Sequence, residues 1–367
     1  MTKVVISGYY GFANAGDEAL LTAIISSLHE TIPDVEITVI TGNCAMTRAN
    51  HDVHAVHRFN LWGIIRALRQ CHILISGGGS LLQDVTSARS LYYYLGIMQL
   101  ALWLHKPVML YAQGIGPVRR PTARQAVRKV LQHVAMIAVR DADSAQELAA
   151  MGVTVPPIIV TADAVLSMPP VETTIGVSIL REAGITDTRR RVGIAVRNWQ
   201  NLSAYKDAIA KAADELQQQY DCHIVFVPMQ YPADVSAGED IGKRMKGKAT
   251  VLSKAYDTVE FMSLLGCMDV VIANRLHALI FASLMNVPVT AISYDPKIDS
   301  FMNSIGEPVC GTMETVTAQG LAQAVRGQLD AGAIASSVQE RVQALRQTSL
   351  ENAYLALRAL RKEVSHD

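Results

Sequence analysis

Cationic side chains follow several predicted strands and could together bind a small anion. Arg140 ends one such strand, Arg275 and His277 stand where another strand passes into a helix, and Lys297 follows the next strand. Arginine and lysine bind phosphate and carboxylate through charge-assisted hydrogen bonds, and a histidine can donate or act as an acid. If they converge, these four side chains form an anion site without a metal motif.

A local ion pair is the alternative for Arg140, because Asp141 and Asp143 follow it directly. A lone histidine is also more often structural. His277 is favoured as functional because it stands at a strand end, two residues from Arg275.

An acidic pair follows the first predicted strand. Asp17 and Glu18 begin a helix after a glycine-rich loop that also contains Asn14. Either carboxylate could serve as a general base for a hydroxyl, and capping of the helix is the competing interpretation. Since two carboxylates repel phosphate, the sequence assigns this side to a neutral acceptor.

Two further strand ends are rich in glycine. One reads Ser76-Gly-Gly-Gly-Ser80, so that Gly78, Gly79 and Ser80 could approach a ligand closely before a following helix, or could simply form a tight turn. The other contains Gln113 in the segment AQGIGP. The glycine-rich loop after the first strand does not fit G-x-G-x-x-G, so no dinucleotide cofactor is expected.

The elements that must position these residues alternate between short apolar strands and helices, which is typical of parallel sheets covered on both faces. Predicted strands in the first half are 3–7, 35–40, 72–76, 107–112, 136–140 and 158–161, and in the second half 191–196, 223–228, 250–252, 270–273 and 287–293. Predicted helices are 17–30, 61–70, 90–104, 122–133, 144–151, 203–220, 235–246, 258–265, 276–286, 317–329 and 337–361.

This alternation predicts an α/β fold of two Rossmann-like domains that face a central cleft, the GT-B-like arrangement. Residues 1–170 form the acceptor-side domain, residues 190–335 the donor-side domain, and residues 337–363 a terminal helix that packs back on the first. Parallel sheets of this kind bind ligands at the carboxyl ends of their strands.

Composition excludes several classes of protein. The 367 residues are half hydrophobic and carry 33 basic and 33 acidic side chains, so no overall charge attracts nucleic acid. Five scattered cysteines without a C-x-x-C pair argue against disulfides and a zinc site and indicate a reducing compartment. The N-terminus does not read as a signal peptide, and the uncharged run Leu91–Leu104 is too short to cross a bilayer.

Taken in order, the segments GYYGFANAGDEA, ISGGGSLLQD, AQGIGP, VRDADS, NRLHALIFA and SYDPK resemble the polysaccharide pyruvyl transferase family, CsaB type, over about residues 3–305. The resemblance implies transfer of a pyruvyl group from phosphoenolpyruvate to a sugar, N-acetylmannosamine in a cell-wall or envelope polysaccharide precursor, with formation of a cyclic ketal and release of phosphate. It places the phosphoenolpyruvate-binding residues at Arg140, His277 and Lys297. Phosphoenolpyruvate is then the donor substrate, and no cofactor or metal is expected.

Two other functions remain open at this stage. A GT-B glycosyltransferase would use a nucleotide sugar and an acidic ribose contact, for which Glu260 is the candidate. A non-catalytic glycan-binding protein would not need the cationic cluster. The expected partners are phosphoenolpyruvate and a sugar or lipid-linked glycan, at a cytoplasmic location that a peripheral contact with the inner face of the membrane would suit. Leu91–Leu104 could make that contact, although core packing is favoured.

Overall fold

The computed structural model describes residues 1–85 and 88–364. The chain divides into two compact units. Unit 1 contains residues 1–12, 17–168 and 345–367, and unit 2 contains residues 13–16 and 169–344. The short segment 13–16, which the sequence analysis placed in the first domain, therefore packs with unit 2.

Strands of the described residues are short and largely buried, because helices cover both faces of the sheets. They are β1 Thr2–Ser7, β2 Val35–Thr41, β3 His54–His57, β4 Ile73–Ser76, β5 Gly79–Leu82, β6 Val108–Ile115, β7 Met136–Val139, β8 Ile158–Val160, β9 Arg191–Ala195, β10 His223–Phe226, β11 Ala249–Val251, β12 Val270–Ala273, β13 Val289–Ser293 and β14 Val309–Thr312.

Eleven helices in the described residues lie close to predicted ones, and the helices at 44–50, 174–182 and 296–305 had no predicted bounds. They are α1 Ala15–Thr31, α2 Cys44–Asn50, α3 Leu61–Gln70, α4 Ala88–Trp103, α5 Pro121–Leu131, α6 Ala142–Ala150, α7 Thr174–Glu182, α8 Ala204–Tyr220, α9 Ala233–Arg244, α10 Thr258–Leu265, α11 Leu276–Leu284, α12 Pro296–Ile305, α13 Ala318–Ala331 and α14 Ser336–Val364, with a 3-10 turn at Ala164–Ser167.

Each unit has one parallel sheet. In unit 1 the strand order is β3-β2-β1-β4-β6-β7-β8, with β5 paired to β6. In unit 2 the order is β11-β10-β9-β12-β13-β14. These two parallel, helix-covered sheets confirm the predicted α/β class with two Rossmann-like halves.

The terminal helix α14 contributes to the core of unit 1 through its later turns. Ser349 and Asn352 are fully buried. The Ser349 hydroxyl donates to the carbonyl of Asp163 at 2.8 Å, and Thr161 donates to the Asn352 side chain at 2.8 Å. These hydrogen bonds satisfy polar groups that would otherwise be buried without a partner.

Three local differences from the predicted elements have simple physical causes. The segment after Ser76-Gly-Gly-Gly begins the short strand β5 and not a helix, because β5 pairs with β6 while glycine gives no local signal for a strand. The edge strand β3, HAVH, is half-exposed and lacks an apolar run. Gln113 lies inside β6, which continues to Ile115, and not in a loop.

Candidate active site

In the sheet of unit 2, the direction in which the chain adds successive strands reverses between β9 and β12. From β9 the chain adds β10 and β11 on one side, and then returns to place β12, β13 and β14 on the other. Ligands of open α/β sheets bind at such a switch point, beyond the carboxyl ends of the strands. The residues that follow β9, β12 and β13 are therefore the first place to look for a site.

Asn274 joins the two strands at this point. It is fully buried, and its side-chain oxygen accepts from the backbone N–H of Arg197 at 2.9 Å while its amide group donates to the Arg197 carbonyl at 3.4 Å. This pair of hydrogen bonds fixes the backbone from which the Arg197 side chain extends.

Arg197 is a cation that the sequence analysis did not select. Its guanidinium lies 5.3 Å from the ring centre of Trp199 and 5.7 Å from that of Tyr294, and donates to the Tyr294 hydroxyl at 3.4 Å. Among the described residues no carboxylate forms an ion pair with it, and its Nε is buried without a hydrogen-bond partner. Arg197 follows a predicted strand directly, which is the signal that identified Arg140.

Lys297 also lies near the ring of Tyr294. Its ammonium group is 5.6 Å from the ring centre of Tyr294 and 3.2 Å from the carboxylate of Asp295. Asp295 also caps α12 by accepting from the backbone N–H of Lys297 at 3.1 Å. The ring of Tyr294 thus has two cations within cation–π distance, and only Lys297 is balanced by a carboxylate.

Arg275, which the sequence predicts as a cation of the anion site, is engaged in an ion pair within unit 2. The side chain is buried and forms an ion pair with the buried carboxylate of Asp234 through Nε, at 2.9 Å, and Nη2. Nη2 also donates to Gln230 at 3.2 Å. The pair is charge-neutral, and among the described residues Nη1 makes no hydrogen bond. Arg275 can therefore offer oriented donors but little net charge.

His277 lies in the first turn of α11 and packs against the segment 13–16 of the same unit. Asn14 forms an antiparallel bridge with Gln230, and the backbone N–H of Ala15 donates to the Met229 carbonyl at 3.0 Å. A Cβ built on Gly16 would lie 2.0 Å from Nδ1 of His277. The glycine is therefore what allows the imidazole to occupy its position.

We expect Gly16→Ala to lower kcat by about 100-fold, because displacing the His277 ring by about 1 Å would destroy its alignment with a substrate. Gly16 has no positive φ, so alanine fits the helical backbone and the effect falls on His277. Gly327→Ala is the matched control, since a Cβ at that helical glycine meets nothing within 4 Å. Steady-state kinetics and melting temperatures would test this, and equal activities of the two variants would contradict it.

The sequence predicts Arg140 as a cation for a ligand, with a local ion pair as the alternative. In unit 1 its side chain is paired with neighbouring groups. Its side chain is 7% exposed. Nε donates to Asp141 at 3.1 Å, Nη2 donates to the Ser80 hydroxyl at 3.1 Å, and Nη1 lies 3.7 Å from Asp163. The alternative pairing with Asp141 is thus correct. A Cβ on Gly114 would lie 2.4 Å from Nη2, so this glycine makes room for the guanidinium.

The glycine-rich turn of unit 1 lies at the switch point of its own sheet, between β1 and β4. Gly79 has a φ of +87°, and a Cβ there would be 3.4 Å from a carboxylate oxygen of Asp17. Gly78 packs against Leu20. Gln113 is fully buried, accepts from the Ser76 hydroxyl at 3.4 Å, and has no partner for Nε2 among the described residues.

Glu18, in the first turn of α1, supports the loop before it. One carboxylate oxygen accepts from the backbone N–H of Gly11 at 2.8 Å, and the other is buried without a partner in the described part of the chain. Burial raises the pKa of Glu18, and hydrogen bonds from the backbone of Gly11 and Phe12 oppose the shift. A carboxyl with a raised pKa is better suited than an ordinary one to accept and return a proton near neutral pH.

Glu18→Gln should become stabilising relative to the natural protein as pH rises. Since the folded pKa is raised, the contribution of Glu18 to stability is fully present below the unfolded pKa, about 4.3, and is lost as pH rises through the folded pKa. Glutamine has no such loss. Melting temperatures between about pH 4 and pH 8 would show the difference growing with pH. Glu30→Gln, at the exposed end of the same helix, is the control, and a constant difference for Glu18→Gln would contradict the prediction.

The candidate ribose contact of the glycosyltransferase alternative makes local hydrogen bonds. Glu260, the candidate ribose contact, forms a capping box with Asp257 through hydrogen bonds of 2.7 and 2.8 Å. In residues 1–85 and 88–364, no group of three His, Cys, Asp or Glu side chains could hold a metal ion.

Residues 1–85 and 88–364 contain no helix that combines the length and the apolar character needed to cross a membrane.

Solved structures with a similar architecture include complexes with UDP and with UDP-GlcNAc, and a glycosyltransferase. A UDP-bound MnaA from S. aureus aligns with a TM-score of 0.68 at 12% identity over 100% of this chain and 97% of that one. UDP-GlcNAc 2-epimerase from Neisseria meningitidis, bound to UDP-GlcNAc, aligns at 0.67 and 11% over 99% and 100%. A glycosyltransferase from Rickettsia africae aligns at 0.61 and 12% over 99% and 97%. The fold is therefore of the GT-B class.

Sequence comparison identifies the family. Residues 14–296 match the family model described as polysaccharide pyruvyl transferase. The amylovoran biosynthesis protein AmsJ of Erwinia amylovora is 22% identical over 402 residues, which cover 89% of this chain and 92% of AmsJ. The chain belongs to the polysaccharide pyruvyl transferase family, which indicates an enzyme with a role in polysaccharide modification.

Proposed function

We propose that this protein transfers the pyruvyl group of phosphoenolpyruvate to a sugar of a cell-wall or envelope polysaccharide precursor. The observation that carries the proposal is the group of cations beyond the carboxyl ends of the unit 2 strands, where Arg197 and Lys297 lie 5.7 and 5.6 Å from the ring centre of Tyr294 and Arg275 and His277 follow β12. The family match supports the same reaction. The sugar proposed is N-acetylmannosamine, as in the CsaB type.

Phosphoenolpyruvate carries a phosphate and a carboxylate, so its binding needs more than one cation. In the described part of the chain no carboxylate pairs with Arg197, so it supplies unbalanced positive charge, and Lys297 supplies an ammonium group. Arg275 contributes hydrogen bonds from Nη1, oriented by its pair with Asp234. A planar guanidinium suits either anionic group of the donor through paired N–H donors.

The reaction forms two C–O bonds and breaks one. Protonation of the methylene carbon of phosphoenolpyruvate leaves an oxocarbenium-like carbon, which one sugar hydroxyl attacks. A second hydroxyl then displaces phosphate and closes the cyclic ketal. Of the two hydroxyl protons, one balances the proton taken up by the new methyl group and the other leaves with phosphate, so no cofactor or redox partner is required.

The proposed roles follow from residue chemistry. His277 acts as the acid, or as a donor to the departing phosphate. Asp17 or Glu18 accepts the proton of the attacking hydroxyl, and the raised pKa of Glu18 favours that residue. Arg140, ordered by Asp141 and Ser80, is assigned to the donor through the family resemblance. Asn14, Gly78, Gly79, Ser80 and Gln113 are assigned to binding and shaping.

The nucleotide-sugar alternative has less support than it had from sequence. Its candidate ribose contact, Glu260, is occupied in a capping box, and the likeness to UDP-binding enzymes is one of fold. A non-catalytic glycan-binding protein would gain nothing from an arginine held over two aromatic rings without a carboxylate partner. The proposed setting is cytoplasmic, with a lipid-linked acceptor at the inner face of the membrane.

The decisive experiment incubates purified protein with phosphoenolpyruvate and an acceptor containing N-acetylmannosamine. We expect release of inorganic phosphate together with a product whose mass has risen by one pyruvate less one water. In parallel, phosphoenolpyruvate should raise the melting temperature more than UDP or GDP sugars do, because a bound ligand stabilises by mass action. Stabilisation by a nucleotide sugar alone, without phosphate release from phosphoenolpyruvate, would reject the proposal.

A further inference from the structure

Charge is distributed very unevenly along a chain whose total charge is zero. Residues 53–140 contain eleven lysines and arginines but a single carboxylate, Asp84. The one carboxylate is buried and accepts from the backbone N–H groups of Arg119 and Arg120, each at 2.8 Å. The exposed surface made by this segment is therefore almost purely cationic.

The same segment builds α3, α4 and α5 of unit 1. Their buried residues belong to one core cluster, which includes Ile64 and Leu68 of α3, Leu91 of α4 and Val127 of α5. The three helices thus cover one face of the sheet. The uncharged run Leu91–Leu104 is mostly part of this core, as favoured from sequence.

Large apolar side chains interrupt the cationic surface at the start of α3. Phe59 is 74%, Leu61 58% and Trp62 81% exposed. On a helix, residues 62, 66 and 69 share one face, so Trp62 is followed along that face by the exposed Arg66 and Arg69. We call Phe59, Leu61, Trp62, Arg66 and Arg69 the basic aromatic face. Exposed apolar groups in such a cluster usually mark an interaction site.

The base of this face is held by stacking contacts and continues to the carboxyl edge of the sheet. Arg58 follows β3, and its guanidinium stacks on Phe12, Phe59 and Tyr93 at 5.3, 5.0 and 4.7 Å from the ring centres. Its backbone carbonyl accepts from the Tyr93 hydroxyl at 3.0 Å. Phe12 belongs to the loop after β1, the loop that Glu18 supports.

We propose that the basic aromatic face binds the surface of an anionic phospholipid bilayer. Tryptophan and phenylalanine favour the interface between headgroups and acyl chains, and arginines on the same helix face bind the anionic headgroups. A second copy of the chain is a poorer occupant, because two such faces would bring arginines together without carboxylates to balance them. The proposal does not depend on the proposed function, although a lipid-linked acceptor would then arrive at the correct edge of unit 1.

Vesicle sedimentation tests the proposal with the full chain. We expect it to pellet with vesicles of phosphatidylglycerol and phosphatidylcholine, and at least about tenfold less with phosphatidylcholine alone. Phe59→Ser/Trp62→Ser and Arg66→Glu/Arg69→Glu should each lower the partition coefficient by about tenfold or more. Tyr354→Ser, which removes another exposed aromatic at 61%, and Arg48→Glu on α2 are the matched controls.

The outcomes are separable. Unchanged melting temperatures and unchanged phosphate release with a short soluble acceptor would show that the variants are folded, so their loss of vesicle binding would support the bilayer. Equal binding to anionic and neutral vesicles, or full binding by both double variants, would overturn the proposal. A dimer in light scattering that Phe59→Ser/Trp62→Ser converts to monomer would overturn it in favour of a second copy.

Discussion

Replacing His277 by alanine is expected to lower kcat for pyruvyl transfer by about 10² to 10⁴-fold, the usual contribution of a positioned acid or base. The ring stands two residues beyond the buried Arg275–Asp234 pair and against Gly16, so alanine leaves that buried pair intact. The binding of phosphoenolpyruvate, measured by its effect on the melting temperature, should change far less than kcat.

A second substitution distinguishes the two roles proposed for this residue. His277→Gln keeps a hydrogen-bond donor but cannot transfer a proton, so it should recover much of the rate if His277 only binds the departing phosphate. If His277 is the acid, glutamine and alanine should be equally poor. His223→Gln is the control within the same unit, because His223 pairs with Asp187 at 2.9 Å at the opposite end of the strands. A His277→Ala enzyme that turns over like the His223 control would remove His277 from the mechanism.

Replacing Arg197 by alanine is expected to lower kcat/KM for phosphoenolpyruvate by about 100-fold, as is usual when one oriented donor to a reacting group is lost. Most of the effect should appear in KM if Arg197 binds the carboxylate, which is present before and after transfer. It should appear in kcat if Arg197 stabilises the departing phosphate. The division of the effect between KM and kcat therefore identifies whether Arg197 binds the carboxylate or the phosphate.

Lysine is an informative replacement at this position. Arg197 stacks on two rings and presents a planar fork of donors, neither of which lysine reproduces. We expect Arg197→Lys to recover only part of the activity. Arg244→Ala, which removes a surface arginine paired with Asp207 and Asp240, is the control for loss of a positive charge. Normal kinetics in Arg197→Ala would show that the unbalanced cation has no part in the reaction.

Most of the architecture could be predicted from sequence, because buried parallel strands and amphipathic helices have strong periodic signals. The strand 270–273 and the helices 61–70 and 258–265 match their predicted bounds. What could not be predicted was the order of the strands. Arg197 and Asn274 are 77 positions apart in sequence, and only the order β9-β12 makes them neighbours.

The charge state of the candidate site was also beyond reach of the sequence. Arg140 and Arg275 look alike as strand-end cations, yet both are paired with buried carboxylates, Asp163 and Asp234, that lie 23 and 41 residues away. No local pattern reveals such a partner. Which cations carry net charge therefore depends on tertiary packing, which is why the sequence did not single out Arg197.

The role of Ser349 and Asn352 in unit 1 has a consequence for biosynthesis. Both are translated after the entire second sheet, yet they complete hydrogen bonds with Asp163 and Thr161, translated nearly two hundred codons earlier. Part of the interior of unit 1 therefore stays exposed to solvent until the second half of the chain has been synthesised. Released chains truncated before residue 345 should be open to protease at residues 161–168, and released chains that include residues 345–364 should be resistant. The region around Asp163 and Arg140 would then be the last to reach its native structure, although its residues are synthesised before residues 169–344.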